Sequence, residues 1–118
     1  MAVERDRVLA MPATNTNAVE CFDYIMNTEK TYKMLGQAVG LLERRAKRFR
    51  RTIEAEFIEA QSLSGYAAWH KLTAQTINAA LVDRRNNFPE EGEPEWLGVG
   101  AARDVLTIAL TQRDRFPQ

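Results

Sequence analysis

Tyr32-Lys33-Met34-Leu35-Gly36-Gln37-Ala38-Val39-Gly40-Leu41-Leu42-Glu43-Arg44-Arg45-Ala46-Lys47-Arg48-Phe49-Arg50-Arg51-Thr52-Ile53 is the stretch that decides the fold. Its residues Tyr32, Leu35, Val39, Leu42, Ala46, Phe49 and Ile53 are spaced 3, 4, 3, 4, 3, 4. A repeat of period ~3.5 puts all of them on one stripe of an α-helix, so the spacing predicts a long central helix with Phe49 on its buried seam. After a one-residue shift the stripe continues through Phe57 and Ala60. A break near Thr52 would divide this element into two helices. Gly36 and Gly40 lie four apart within it. Each costs about 1 kcal/mol relative to Ala in a helix interior. Either another backbone approaches closely there or the turn is loose.

Working outward, Asn17-Ala18-Val19-Glu20 has the form of a capping box. It predicts a helix that buries Val19, Phe22, Ile25 and Met26 and pauses at Asn27-Thr28. Before it, Pro12 and the polar run Thr14-Asn15-Thr16-Asn17 break any helical pattern, so residues 1–16 read as a flexible N-terminal arm and residues 17–118 as one domain. On the other side, Ser62-Leu63-Ser64-Gly65 combines a stop and a start. Tyr66, Trp69, Leu72, Thr76, Ile77, Ala80 and Leu81 then share a face of a helix ending near Asn86-Asn87. Two prolines and a glycine make Phe88–Pro94 a loop. A last helix is predicted over Glu95–Asp114, with Trp96, Val99, Ala102, Val105, Leu106, Ala109 and Leu110 inward. Glu93 and Glu95 would complement the positive end of its dipole. No period-2 alternation or hairpin turn signals a strand. The fold class is all-α, a compact bundle of four to five helices.

The bulk composition narrows the function. At 118 residues, 45% hydrophobic and 27% charged, the chain suits one globular domain. A mean hydropathy of -0.40, with no apolar run near ~18 residues, argues against a membrane span, and the alternating charges of residues 1–7 against a secretory signal. One cysteine, Cys21, reads as a small buried hydrophobe, and the compartment as a reducing cytoplasm. With His70 the only histidine, four Cys/His ligands for structural zinc cannot be assembled; His70 reads as a surface or boundary residue, and no cofactor is expected. Phosphate-binding glycine loops, H-E-x-x-H and G-x-S-x-G are absent from the sequence. Neither an enzyme nor a small-molecule substrate is expected.

Net charge is zero, yet six of the eight residues from Arg44 to Arg51 are basic and four of the six from Glu90 to Glu95 are acidic. On a continuous helix Arg44, Lys47, Arg48 and Arg51 line one face, with Arg45 and Arg50 beside them. Glu54, Glu56 and Glu59 follow at helical spacing from Arg50 and Arg51. Clustered cations call for an anion opposite, and guanidinium groups fork naturally onto phosphate oxygens. The competing possibility is a solvated face neutralised by Glu43, Glu54 or the acidic loop. Because Phe49 is expected on the buried seam, backbone tracking fits better than base stacking.

Residues Tyr32 to Glu43, with Tyr32, Leu35-Gly36, Ala38 and Leu42-Glu43 in order, resemble the opening of the helical small-subunit domain of CRISPR–Cas effector complexes. The likeness runs on through Thr52-Ile53, Phe57, Ala60-Gln61-Ser62, Trp69 and Leu72, covering roughly residues 28–110. Where that family's pattern has Arg after Leu-Gly, this chain has Gln37. The resemblance implies a non-catalytic subunit, stacked in several copies along the guide-RNA-bound backbone subunits and holding guide or target nucleic acid by its phosphates. The residues expected to do so, Arg44, Arg45, Lys47, Arg48, Arg50 and Arg51, follow from the charge pattern alone. The alternative is a helical assembly or adaptor protein, such as a virion component or coiled-coil oligomer, whose heptad seam lies between chains.

Overall fold

The computed structural model describes residues 16–62, 68–96 and 101–116, without the side chains of residues 59–62 and 68. The expectations for residues 1–15 of the arm, the Ser62–Gly65 boundary, Tyr66, Val99 and the side chains of Glu59 and Ala60 fall outside these. The described residues form five α-helices and no strand: α1 Thr16–Met26, α2 Glu29–Arg48, α3 Ile53–Ser62, α4 Ala68–Asn87 and α5 Ala101–Thr111. Short 3-10 turns occur at Pro89–Glu91 and Arg113–Arg115. None of these helices is long and apolar enough to cross a membrane.

The heptad seam of α2 is buried as its spacing requires. Leu35, Val39, Leu42 and Ala46 are at most 2% exposed, joined by Thr31 and Ala38. The seam closes within one chain, because α2 packs chiefly against α4, whose Trp69, Thr73, Thr76, Ile77 and Ala80 face inward. Helix α5 packs against α1, α4 and α2 together and is buried almost all round. That is why its sequence is apolar on nearly every side.

The corners explain where the sequence reading went astray. Helix α1 begins at Thr16, so Asn17 lies inside it and not at its cap. Its buried stripe is Ala18, Cys21, Phe22 and Ile25, leaving Val19 at 38% exposure and Met26 half-buried. Burial pushes the Cys21 thiol up to about 12. Between α1 and α2, the buried Thr31 hydroxyl sits 2.9 Å from the Ile25 carbonyl and 3.1 Å from that of Thr28, pinning the turn.

The predicted final helix is shortened at both ends. Glu95 and Trp96 are not helical, and the last turn gives way to a 3-10 segment after Thr111. Trp96 is buried as expected, but as the anchor of the loop: it packs on Tyr24, ring centroids 5.5 Å apart. Glu93 pairs with Arg85 of α4. The chain then returns to α2, where Phe116 stacks on Tyr32 at 5.5 Å and the Tyr32 hydroxyl donates to the Arg115 carbonyl at 2.7 Å. A Cβ on Gly36 would meet the Phe116 ring at 3.4 Å, an ordinary contact. At Gly40 the near neighbour is the Arg44 side chain; at neither glycine does a backbone atom from elsewhere among the described residues come within 4 Å of a Cβ built there.

Candidate nucleic-acid interface

Helix α2 does not run on to Ile53. It stops at Arg48, and the chain turns through Phe49–Thr52 before α3. The Arg51 amide donates to the Ala46 carbonyl at 2.8 Å and the Arg50 amide to that of Lys47 at 3.2 Å. This pair of bonds is the Schellman termination, which places the next-to-last residue of the motif in the left-handed region. Glycine is preferred there; here the position is held by Arg50, with φ of 53°. A non-glycine residue in that conformation costs roughly 1–2 kcal/mol. Thr52 then caps α3, its hydroxyl oxygen accepting from the Ala55 amide at 3.0 Å. Glu54 and Glu56 occupy the first turn of α3, where the helix dipole favours them.

The turn rearranges the basic run into two sets. The first is committed inside the chain. Glu56 is buried, its side chain 2% exposed, and both its oxygens are taken. Arg45 Nε donates to Oε1 and Arg51 Nη1 to Oε2, each at 2.8 Å. The pair clamps the end of α2, the turn and α3 together. A carboxylate sealed from water requires such partners. Arg51 is therefore not on the face with Arg44, Lys47 and Arg48: the helix ends first and Arg51 folds back.

The second set is Arg44, Lys47, Arg48 and Arg50. All four are exposed, and none forms an ion pair among the described residues. Arg44, Lys47 and Arg48 share the end of α2 at helical spacing, as predicted. Of the acids offered as possible neutralising partners, Glu54, Glu91 and Glu93 pair with other arginines. Glu54 meets Arg113 at 3.1 Å rather than Arg50. The acidic loop is engaged by α4 at the other end of the bundle, Glu91 by Arg84 at 3.2 Å and Glu93 by Arg85.

Phe49 corrects the sequence reading most sharply. As the first residue past the helix it leaves the seam and is 47% exposed. The guanidinium carbons of Arg45, Arg48 and Arg51 lie 5.6, 5.6 and 5.4 Å from its ring centre, within cation–π range. Beside the ring lies an open groove of about 350 Å³, lined by Leu41, Arg44, Arg45, Arg48, Phe49 and Trp69. Arg44 also borders a second groove with Tyr32, Lys33, Gly36, Gln37, Gly40 and Glu43. Sequence reasoning placed Glu56 at pairing distance from Arg51, as found, but missed its second partner Arg45 and the place of Phe49, Leu41 and Trp69 at this corner. One signal was legible: Thr52-Ile53-Glu54, a capping residue followed by acid, marks a helix start and hence a helix end before it.

His70 is half-buried, its ring edge-on to Trp69 with centroids 6.0 Å apart. Burial lowers its pKa. No group of three or more His, Cys, Asp or Glu placed to hold a metal occurs among the described residues. No protein-family model, curated protein or solved structure matches the chain.

Proposed function

We propose that this protein is a non-catalytic structural subunit that holds nucleic-acid backbone at the α2–α3 corner. The observation that carries the reading is the group Arg44, Lys47, Arg48 and Arg50, four exposed cations without an ion pair among the described residues. Like charges within two turns repel, and each that neutralises a phosphate releases counterions condensed on the nucleic acid. The Arg45–Glu56–Arg51 clamp makes the corner rigid, so the cations are presented on a fixed frame. In the setting that the family resemblance implies, copies of this chain line a CRISPR–Cas effector in the cytoplasm and steady its guide or target strand. A coiled-coil adaptor would need the Leu35–Val39–Leu42 stripe free for another chain, and those side chains are at most 2% exposed in one.

The test is charge reversal confined to the uncommitted set, Arg44→Glu, Lys47→Glu, Arg48→Glu and Arg50→Glu together, leaving Arg45 and Arg51 on Glu56. Affinity for an RNA or DNA strand at low salt should fall by at least about a hundredfold, and its dependence on salt should flatten. Helicity should be retained. Unchanged affinity and slope would remove these residues from any binding face. Expression with the products of neighbouring genes tests the setting: a large RNA-containing particle is expected, and a nucleic-acid-free species would count against it.

A further inference from the structure

We infer that the corner takes a single strand rather than a duplex, with one unstacked base laid on Phe49 and into the groove beside it. This deepens the phosphate-binding reading above and rests on it.

Phe49 is an exposed aromatic that stands outside the hydrophobic core cluster. Phe88, the other exposed phenylalanine among the described residues, lies edge-on to Tyr24 at 6.4 Å. Phe49 instead is ringed by three guanidinium groups and still presents 47% of its surface. Next to it, Leu41 and Trp69 supply apolar lining to the groove, and Arg44, Arg45 and Arg48 supply its charge. An apolar ring plane framed by cations is chemically matched to a ligand that carries flat, apolar faces and phosphates together.

An unpaired nucleotide is such a ligand. Every base offers a π-face, so aromatic stacking is sequence-tolerant, and guanidinium planes stack on bases as well. In a duplex both faces of each base are already covered by neighbours. Phe49 could then meet only sugar and phosphate, and the groove would stay unfilled. The cations would hold the backbone in either case; the ring and groove discriminate for the single strand.

Three probes of equal length separate the contributions: a thymidine homopolymer, an abasic single strand and a duplex. The wild-type chain should bind the homopolymer about tenfold more tightly than the abasic strand, as expected for one base stacked on one aromatic ring. Phe49→Ala should erase that difference and leave affinity for the abasic strand and the duplex unchanged. Phe49→Trp should preserve it. If Phe49→Ala loses helicity, Phe49→Leu supplies the apolar bulk without the ring and should also erase the preference. Equal binding of homopolymer and abasic strand by the wild type would overturn the base site while leaving the phosphate reading intact, as would a preference unaffected by either loss of the ring. Failure to bind all three would overturn both.

Discussion

Two ends of this bundle use the same residue types to opposite effect. At the Tyr24 end, Arg84 and Arg85 of α4 meet an acidic loop. Arg84 Nη1 donates to the Gly92 carbonyl at 2.6 Å and pairs with Glu91, its guanidinium carbon 5.7 Å from the centre of the Trp96 ring. Arg85 takes Glu93. Tyr24 closes the assembly, its hydroxyl 2.6 Å from Asp83 and pushed up to about 12 by burial and by that hydrogen bond to the carboxylate. At the α2–α3 corner, arginines again surround an aromatic ring, but the ring is 47% exposed and four cations have no ion pair among the described residues. The first end is a closed circuit in which charge fastens a loop. The second keeps just enough charge inside, at Glu56, to hold its shape, and leaves the rest outward. On the proposed reading, a binding site is marked not by arginine and aromatic content alone but by their surplus over internal partners.

Breaking the internal part of the corner should produce the largest stability change. Arg45→Met leaves the buried Glu56 carboxylate with Arg51 alone. A fully sealed pair broken this way loses about 3–5 kcal/mol. Arg45 is itself 45% exposed, so water can partly replace it, and a loss of about 2 kcal/mol is expected in urea unfolding. Glu56→Met removes the buried charge and leaves two guanidinium groups that can rehydrate, so it should cost less than Arg45→Met. It should also raise nucleic-acid affinity a few-fold, because Arg45 and Arg51 join the uncommitted set. A Glu56 variant that binds more weakly would show that the rigidity the clamp lends to the other four cations outweighs the two it withholds; one less stable than the Arg45 variant would show that the freed guanidinium groups do not rehydrate.

A middle-sized effect sharpens the contrast at the turn itself. Arg50→Gly relieves the left-handed conformation at a position that prefers glycine and should stabilise the chain by about 1 kcal/mol. It also removes one outward cation. The slope of log affinity against log salt should therefore shrink by about 0.7 on a single strand, one phosphate contact. Stability gained with binding lost would identify the strained residue as kept for its charge. Stability gained with no change in slope would place Arg50 outside the phosphate contacts.

How much of this was legible beforehand follows from what sets each feature. The buried stripe of α2, the face of α4 and the all-α class were legible because period and polarity are local properties of the chain. The basic cluster was legible as a composition, but its division was not. Arg45 and Arg51 are separated from Arg44, Lys47, Arg48 and Arg50 only by where Glu56 lands once α3 turns back on α2. The break near Thr52 stood only as an alternative to one long helix, because its left-handed position carries Arg rather than Gly, the residue that normally announces a helix end. The seam rule then carried Phe49 inward by one residue too many. At the final helix, apolar Trp96 and Val99 fit a helical period, yet Trp96 reaches the core from a loop held down by Arg84, a contact between residues 12 apart in sequence.

The smallest expected effect lies at the closed end, and its smallness is the informative part. The Arg85–Glu93 pair is solvent-exposed, with side chains 58% and 65% accessible. Pairs of this kind contribute about 0.2–1 kcal/mol, less at high salt. Arg85→Ala should therefore lower stability by no more than about 0.5 kcal/mol and leave nucleic-acid affinity and its salt slope unchanged. Because Arg85 is as basic as Arg48, an unchanged slope in Arg85→Ala beside a reduced one in Arg48→Ala would show that position, and not total positive charge, governs binding. Equal losses in the two variants would mean that the strand is attracted by charge spread over the whole surface, and the distinction between the two ends would collapse.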